Sequence, residues 1–489
     1  MKDQTKQRFW VFFAFFLFFF LTRVISHFNL TTGLFDQYFF DNPLWNTAHG
    51  KLLYSTIEGR SVLGTHFTPI LIVFSLPYFL WASSMWTFLF QSLIVAGLIT
   101  IIFKFAQEQL DKEGLWLILI LLATNVTLRY MGFHDLHMDV VITALLTLAL
   151  YILLTYKNLV WPTILLLLGF LAKENAGFLV SSFGLFILLT RKEKLLGAAL
   201  LVLGISTTVF IVKNIIPQFN PTEGFIFGKY YAQFGSNISE QIITIISQPL
   251  KTLSYLITSA NIFYIFIMLA PLAFLPLFAR PLLIIALLPL LQNMISNYSF
   301  TKDFTTQYSY IFVPILFFTT ILGIKHLKET GNWDRLKRRI RKTIYFFALL
   351  SVIAFILLDL RQYFTSEQIF SAHKLMKEIP AQASVSADFH LMAHLQYRDH
   401  LSVFPEVNNA DYVIFADVDR WLLKQPKDDV VKVKKMWGQK DYGRIAYYIV
   451  CGFKNPKPED VAAIAKMQNN PHYKLVKEEN GIFLYAKRR

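Results

Sequence analysis

Five of the six histidines that precede residue 361, namely His27, His49, His66, His134 and His137, share short polar stretches with Asp36, Asp41, Glu58, Asp135, Asp139, Lys173 and Glu174. Asp36 stands in Gly33-Leu-Phe-Asp-Gln-Tyr, where neighbouring aromatic rings would desolvate a carboxylate and raise it toward a general base's working range. The same residue would serve equally well as a helix cap. Leu44-Trp-Asn-Thr-Ala-His-Gly follows and adds Trp45 and His49 as site candidates. His66, in Gly64-Thr-His-Phe-Thr-Pro, either bonds a phosphate or caps the turn before Pro69. The densest run is Gly132-Phe-His-Asp-Leu-His-Met-Asp. Read as a helix, it puts His134 and His137 on one face and Asp135 and Asp139 on another. Such a group would hold a divalent cation (Mg or Mn) through His134, His137 and Asp139, or grip an anionic head group with imidazoles. Alternatively, Asp135 caps the following helix and the histidines sit at an interface. Leu171-Ala-Lys-Glu-Asn places Lys173 and Glu174 between two apolar runs, where Lys173 suits phosphate binding as a point charge. Tyr308, after Thr305-Thr-Gln, is a weaker candidate for the same site.

These residues need a scaffold, and composition says which kind. Of 489 residues, 55% are hydrophobic and 48 are Phe. Mean hydropathy is +0.45. Residues 1–360 carry 27 Lys/Arg and 17 Asp/Glu, about 12% of that stretch, whereas residues 361–489 carry 20 and 15, about 27%. A soluble surface cannot be made from the first part, so the chain reads as an all-α polytopic membrane protein with a C-terminal soluble α/β domain. The net charge of +15 lies largely in loops between apolar runs and implies no nucleic-acid partner. A single cysteine, Cys451, excludes an internal disulfide framework and any CxxC motif. No P-loop, GxGxxG after a strand, or GxSxG occurs.

Runs long enough to cross about 30 Å of hydrocarbon fall near 9–28, 86–106, 115–131, 138–156, 159–172, 175–190, 195–216, 252–278, 281–297, 308–324 and 343–360. The segment Pro69–Ser84, interrupted by Pro77, either spans or lies at the interface. If it does not span, 18 of the 27 basic residues before 361 fall in short loops on the N-terminal side. That pattern favours eleven spans in the plasma (inner) membrane, with the N-terminus cytoplasmic and the C-terminal domain outside. The histidines and acids listed above then face the outer compartment, and the sixth histidine, His326, faces inside. The domains expected are 1–360, with a first outer loop at 29–85, and 361–489. In the tail, Ser366–Glu378 and Pro458–Gln468 read as helices and Ala383–Ala387 and Ala410–Ala416 as strands. Tyr473–Val476 and Gly481–Ala486 read as a hairpin around Glu479-Asn-Gly. Asp417 and Asp419, after the second strand, hold a metal or close a loop.

The runs Phe35-Asp-Gln, Leu44-Trp-Asn-Thr-Ala-His-Gly, Leu53-Tyr-Ser, His66-Phe-Thr-Pro, Phe133-His and Lys173-Glu resemble a family of prokaryotic membrane proteins, domain-of-unknown-function family 2079. That family is in turn similar to the GT-C glycosyltransferases, which include the protein O-mannosyltransferases. The resemblance implies a first outer loop with juxtamembrane helices, a sugar donor carried on a polyprenyl phosphate, and an acceptor glycan, lipid or protein. By position it implies Asp36 as the catalytic acid of that loop and Lys173 as the lysine of a Thr-Lys-Gly element, with Glu174 in place of the glycine. The expectation is an inverting sugar transfer at the extracytoplasmic face. In it Asp36 is the general base, and Lys173, His66, His134 and His137 stabilise the departing phosphate. The other expectations are a transporter or permease, which needs ionisable groups on broken helices, and a non-catalytic envelope scaffold.

Overall fold

The computed structural model describes residues 2–32, 37–363, 365–416 and 458–488. Among them, seven helices are long and apolar enough to cross a membrane: Asp3–Phe28, Met85–Gln109, Met138–Tyr156, Lys194–Phe219, Leu275–Ile295, Gln307–Glu329 and Trp333–Asp359. Two pairs are bent, Lys112–Thr124 with Val126–Phe133 by 48° and Pro249–Leu256 with Ser259–Leu272 by 54°, giving up to nine spans if each pair crosses once. The bend in the first pair has a local cause. Asn125 ends one helix and caps the next, its side chain accepting from Leu128 N at 2.9 Å.

Among the described residues, length and hydropathy therefore support seven to nine spans and not the eleven expected. Val160–Leu171 and Ala176–Thr190 are separate apolar helices. At 1.5 Å per residue they reach only about 18 and 22 Å, short of the hydrocarbon core. Pro69–Ser84 folds as two turns, Leu71–Phe74 and Leu76–Phe79, neither long enough to cross. The last long helix begins at Trp333, ten residues before the apolar run at 343. Its basic residues Arg335 to Lys342 are good helix formers whose long stems can carry charge away from an apolar surface.

The chain divides into two compact units. One comprises 1–20, 61–74 and 87–352. Within it, Ala176–Thr190 and Lys194–Phe210 meet through glycines: a Cβ on Gly184 would lie 2.6 Å from the Gly197 carbonyl oxygen, and one on Gly204 2.3 Å from that of Gly177. Small residues let membrane helices approach this closely and pack backbone on backbone.

The other unit comprises 21–60, 75–86 and 353–489. Its core joins Leu30 and Tyr38, which follow the first long helix, to Ile369, Leu375, Val385, Leu391 and Leu484. The C-terminal sheet has strands β1 (Val385–Ala387), β2 (Leu401–Val403), β3 (Tyr412–Ala416), β4 (Tyr473–Glu479) and β5 (Ile482–Lys487), in the order β2-β1-β3-β5-β4. β1 runs parallel to β2 and β3, whereas β5 is antiparallel to β3 and β4. The hairpin turn is where the sequence puts it. Asn480 and Gly481 both take positive φ, 53° and 78°, as a two-residue turn of this kind requires. Helices Glu367–Lys377 and Pro458–Gln468 complete the unit. Asp417 and Asp419 lie outside the described residues.

Three imidazoles gather in this second unit. His394 stacks on His27 with ring centres 3.9 Å apart, and His373 meets His394 edge-on at 5.1 Å. His394 Nε2 donates to the His27 carbonyl at 3.0 Å, and His373 Nε2 to that of Phe28 at 2.7 Å. Burial, and then the His373 charge, push His394 down from 6.5 to about 3. The unfolded chain therefore takes up a proton that the folded chain refuses. This contribution to stability is complete above about pH 6.5 and is lost as the pH falls toward 3. The thermal midpoint of the purified protein should fall between pH 7 and pH 5, and His394→Gln should flatten that fall. Equal slopes for the two proteins would place the acid sensitivity elsewhere.

Candidate functional site

In the first unit, the opening turn of Met138–Tyr156 and the short link after Leu171 bring charged side chains together. Asp139, Lys173 and Glu174 are all buried. Lys173 Nζ donates to Asp139 Oδ2 at 2.7 Å. Glu174, the next residue, receives His66 Nδ1 on Oε1 at 2.9 Å and the Phe67 backbone N–H on Oε2 at 3.0 Å. The Glu174 backbone carbonyl accepts from the Thr208 hydroxyl at 2.9 Å. The loop carrying His66 reaches this position because residue 64 is glycine: a Cβ there would come within 2.6 Å of the Phe219 carbonyl oxygen. The Ile70 N–H then pins the same loop to the Leu171 carbonyl at 2.9 Å.

Burial alone would push the Glu174 carboxyl up, but the His66 imidazole and the Lys173 ammonium outweigh it and hold the group below its ordinary value. Lys173 behaves correspondingly. Burial would lower it, and the Asp139 and Glu174 carboxylates hold it above its usual value instead.

Aromatic rings wall this group of contacts. His66 stacks on Phe227 at 4.5 Å, Tyr230 on Tyr298 at 4.2 Å, and the Lys173 ammonium lies 5.8 Å from the centre of the Tyr308 ring. Beside Asp139 lies a small cavity of about 20 Å³, lined among others by Asn175, Gln292, Gln307 and Tyr308. Asn175 Oδ1 is buried and has no hydrogen-bond partner among the described residues.

The structure thus brings together His66, Asp139, Lys173, Glu174 and Tyr308, and it separates others. His134 and His137 are not on one helical face. Residues 134–137 form a break between helices, with His134 closing one (ψ 161°) and His137 opening the next (ψ 138°), both extended. His137, not Asp135, holds the cap position before Met138. His134 Nδ1 meets the Tyr310 hydroxyl at 2.8 Å, and that hydroxyl also donates to the Tyr130 carbonyl. Among the described residues no three His, Cys, Asp or Glu side chains are grouped to share a metal ion, so the His134, His137 and Asp139 set is not assembled. Asp139 is instead directed to Lys173. Asp36 lies outside the described residues.

Trp45 and His49 belong to the second unit, on the helix Phe39–Ala48 and at its end. His49 Nδ1 donates back to the Trp45 carbonyl at 2.8 Å, and the two rings pack 4.6 Å apart. Two other residues of the Leu44–Gly50 run brace the following turn. Asn46 Nδ2 donates to the Tyr54 carbonyl at 2.8 Å, and the Thr47 hydroxyl accepts from Leu53 N at 2.8 Å. One ten-residue helix and shorter turns stand where two juxtamembrane helices were expected.

Sequence reasoning passed over two features. The rings of Phe227, Tyr230 and Tyr298 were visible only as aromatic density in 225–234 and 297–300, which membrane spans also show. The second is the network around Asp41, which the sequence shows only as one acid among the polar stretches; Asp41 is fully buried in the second unit. It accepts from Gln37 Nε2 and Gln396 Nε2, both at 2.7 Å, from the Tyr397 hydroxyl at 2.9 Å, and from the Tyr78 hydroxyl. Burial nevertheless pushes its carboxyl up, because none of the four donors carries a charge.

Residues 26–484 match a family described as predicted membrane protein (DUF2079). The chain belongs to that family. No curated protein matches it in sequence. In this DUF2079 protein, Lys173 and Asp139 form a buried pair, for which removing one partner typically costs about 3–5 kcal/mol by leaving the other charge uncompensated. Lys173→Met should lower the thermal midpoint of the detergent-purified protein sharply, and adding Asp139→Leu should restore much of the loss. A double variant no more stable than the single one would show that the two side chains are not coupled.

Proposed function

We propose that this DUF2079 protein transfers a sugar from a polyprenyl-phosphate donor to an acceptor hydroxyl at the extracytoplasmic face of the membrane. The observation that supports this most is the buried Lys173–Asp139 ion pair with the His66–Glu174 hydrogen bond beside it, walled by aromatic rings and opening on amide side chains. A buried ion pair is rarely the most stabilising choice for a core, and in an apolar chain it is costly. The chemistry of the two contacts suits a lipid-linked sugar phosphate. Lys173 provides positive charge and His66 a ring nitrogen for phosphate oxygens, the amides of Gln292 and Gln307 bond hydroxyls, and the tyrosines face the ring.

In this reading the N-terminus is cytoplasmic and the transfer is a single displacement. The acceptor oxygen attacks the anomeric carbon as the bond to the phosphate oxygen breaks. Asp36 takes the acceptor's proton, and the leaving phosphate's growing charge is shared by Lys173 and His66. As the phosphate binds, it competes with Asp139 for the Lys173 ammonium.

A transporter would favour broken helices, and two bent pairs exist. However, the charged groups of this site sit in the first turn of Met138–Tyr156 and in the link after Leu171, and neither position belongs to one of the two bent pairs. The test uses the full chain in nanodiscs with polyprenyl-phosphate hexoses and pentoses carrying a radiolabel. General-base assistance contributes roughly 10²–10⁴-fold, so Asp36→Asn should lose transfer by about that factor while keeping its thermal midpoint. Undiminished transfer by Asp36→Asn would refute the assignment of the base, and absence of transfer from every donor would refute the function.

A further inference from the structure

We propose that the second unit binds a neutral, hydroxyl-rich saccharide in the groove between residues 51–56 and the β2 edge of the C-terminal sheet. Its role as the acceptor site rests on the transferase reading above. The groove encloses about 870 Å³, within the roughly 300–1,000 Å³ usual for small-molecule sites. Both walls belong to the same compact unit. One wall carries Lys51 and Tyr54, and the other carries Asp399, His400, Ser402 and Asn408.

The walls are fixed from behind. Arg398 donates through Nε to the Leu395 carbonyl at 3.0 Å and through Nη1 to those of Pro380 and Ala383 at 2.7 and 3.1 Å, which holds the segment leading into Asp399 and His400. On the opposite side Asn46 holds the Tyr54 carbonyl, and Asn42 Nδ2 donates to the Gln396 carbonyl at 2.7 Å. A ligand therefore meets a crevice that needs little further ordering, which favours affinity.

The charges select the ligand. Lys51 Nζ lies 2.5 Å from Asp399 Oδ1, and about half of each side chain is exposed, 49% and 59%. A phosphate drawn to Lys51 would meet the Asp399 carboxylate, and a cation drawn to Asp399 would meet the ammonium. An apolar ligand would strip water from both and replace none of it. Vicinal sugar hydroxyls avoid all three conflicts. Each donates and accepts at once, so neighbouring hydroxyls bridge a donor-only ammonium and an acceptor-only carboxylate. Ser402, His400 and Asn408 offer further donors and acceptors, and Tyr54 offers a ring face. An extended peptide is less well served, because β2 is only three residues long and gives a short edge to pair with.

The test is calorimetric titration of the full chain in nanodiscs, without donor, using maltotriose, mannotriose and chitotriose, with inorganic phosphate and a tetraalanine peptide as controls. At least one trisaccharide should bind, and Asp399→Ala and Lys51→Ala should each weaken it about tenfold with the thermal midpoint unchanged. Binding by none of the three overturns the proposal. So does unaltered affinity in both variants, or stronger binding of phosphate or the peptide. Trisaccharide binding without any transfer would sink the transferase reading and leave the groove. Normal transfer by both groove variants would leave the transferase and remove the acceptor role.

Discussion

Glu174 is the residue on which the arrangement of the first unit turns. Its carboxylate accepts from a side chain and a backbone N–H of the loop at residues 66 and 67, while its own carbonyl accepts from Thr208. Three segments far apart in sequence are thereby fixed around one buried anion. A carboxylate in such surroundings is tolerable only when its lone pairs are filled and a positive charge lies close by, and Lys173 is the adjoining residue. Lys173 in turn carries the arrangement to Asp139 and so to the first turn of a long helix. If Glu174 were a glycine, the 66–67 loop would lose its anchor, and with it the stacking of His66 on Phe227.

The second unit solves a comparable problem with neutral groups. Asp41 is as deeply buried as Glu174, yet its donors are two amides and two phenols. The contrast appears in the direction of the two carboxyls: below the ordinary value for Glu174, above it for Asp41. Fixed positive charge lowers a buried acid, whereas uncharged donors only moderate the penalty of burial. Because Gln396 and Tyr397 lie some 355 residues beyond Asp41, this network also explains why residues 29–60 and the C-terminal chain share one core. That joining is not written in composition. Residues 29–60 and the tail differ in charge density, and a boundary drawn on charge alone separates what the polar contacts unite.

The legible parts of the molecule are those governed by local physics. Long apolar runs marked the spans, and period-two strands with Asn480-Gly481 marked the C-terminal hairpin, since length, hydropathy and turn geometry each act within a few residues. The errors arose where a local rule met a competing one. Residues 134–137 have helical spacing of like groups, but the chain leaves the helix at His134, so the i, i+3 relation between imidazoles has no geometric meaning. Asn125 lies inside an apolar run and reads as part of one span, but its side chain caps a new helix and bends the path. Candidate residues could be named one by one. The pairing of Lys173 with Asp139, 34 positions apart, and the closing of Phe227, Tyr230 and Tyr298 around them depend on tertiary packing that no window of sequence contains.

That pairing constrains any chemistry at the site. A lysine offered to a phosphate in open solvent carries its full charge to the ligand, but Lys173 is already neutralised at 2.7 Å. The Asp139 carboxyl faces the ammonium and Glu174 adjoins it, so a phosphate would meet acidic side chains as well as the positive charge. Its binding would therefore depend on exchange: the ammonium turns from Asp139 toward the newcomer, and the released carboxylate needs other donors. Asn175, Gln292 and Gln307 line the cavity beside Asp139 and are of the right kind to supply them. A site built on exchange attracts anions weakly at long range and discriminates at contact. That behaviour suits a ligand delivered along the membrane, where concentration is set by the lipid anchor and not by electrostatic steering.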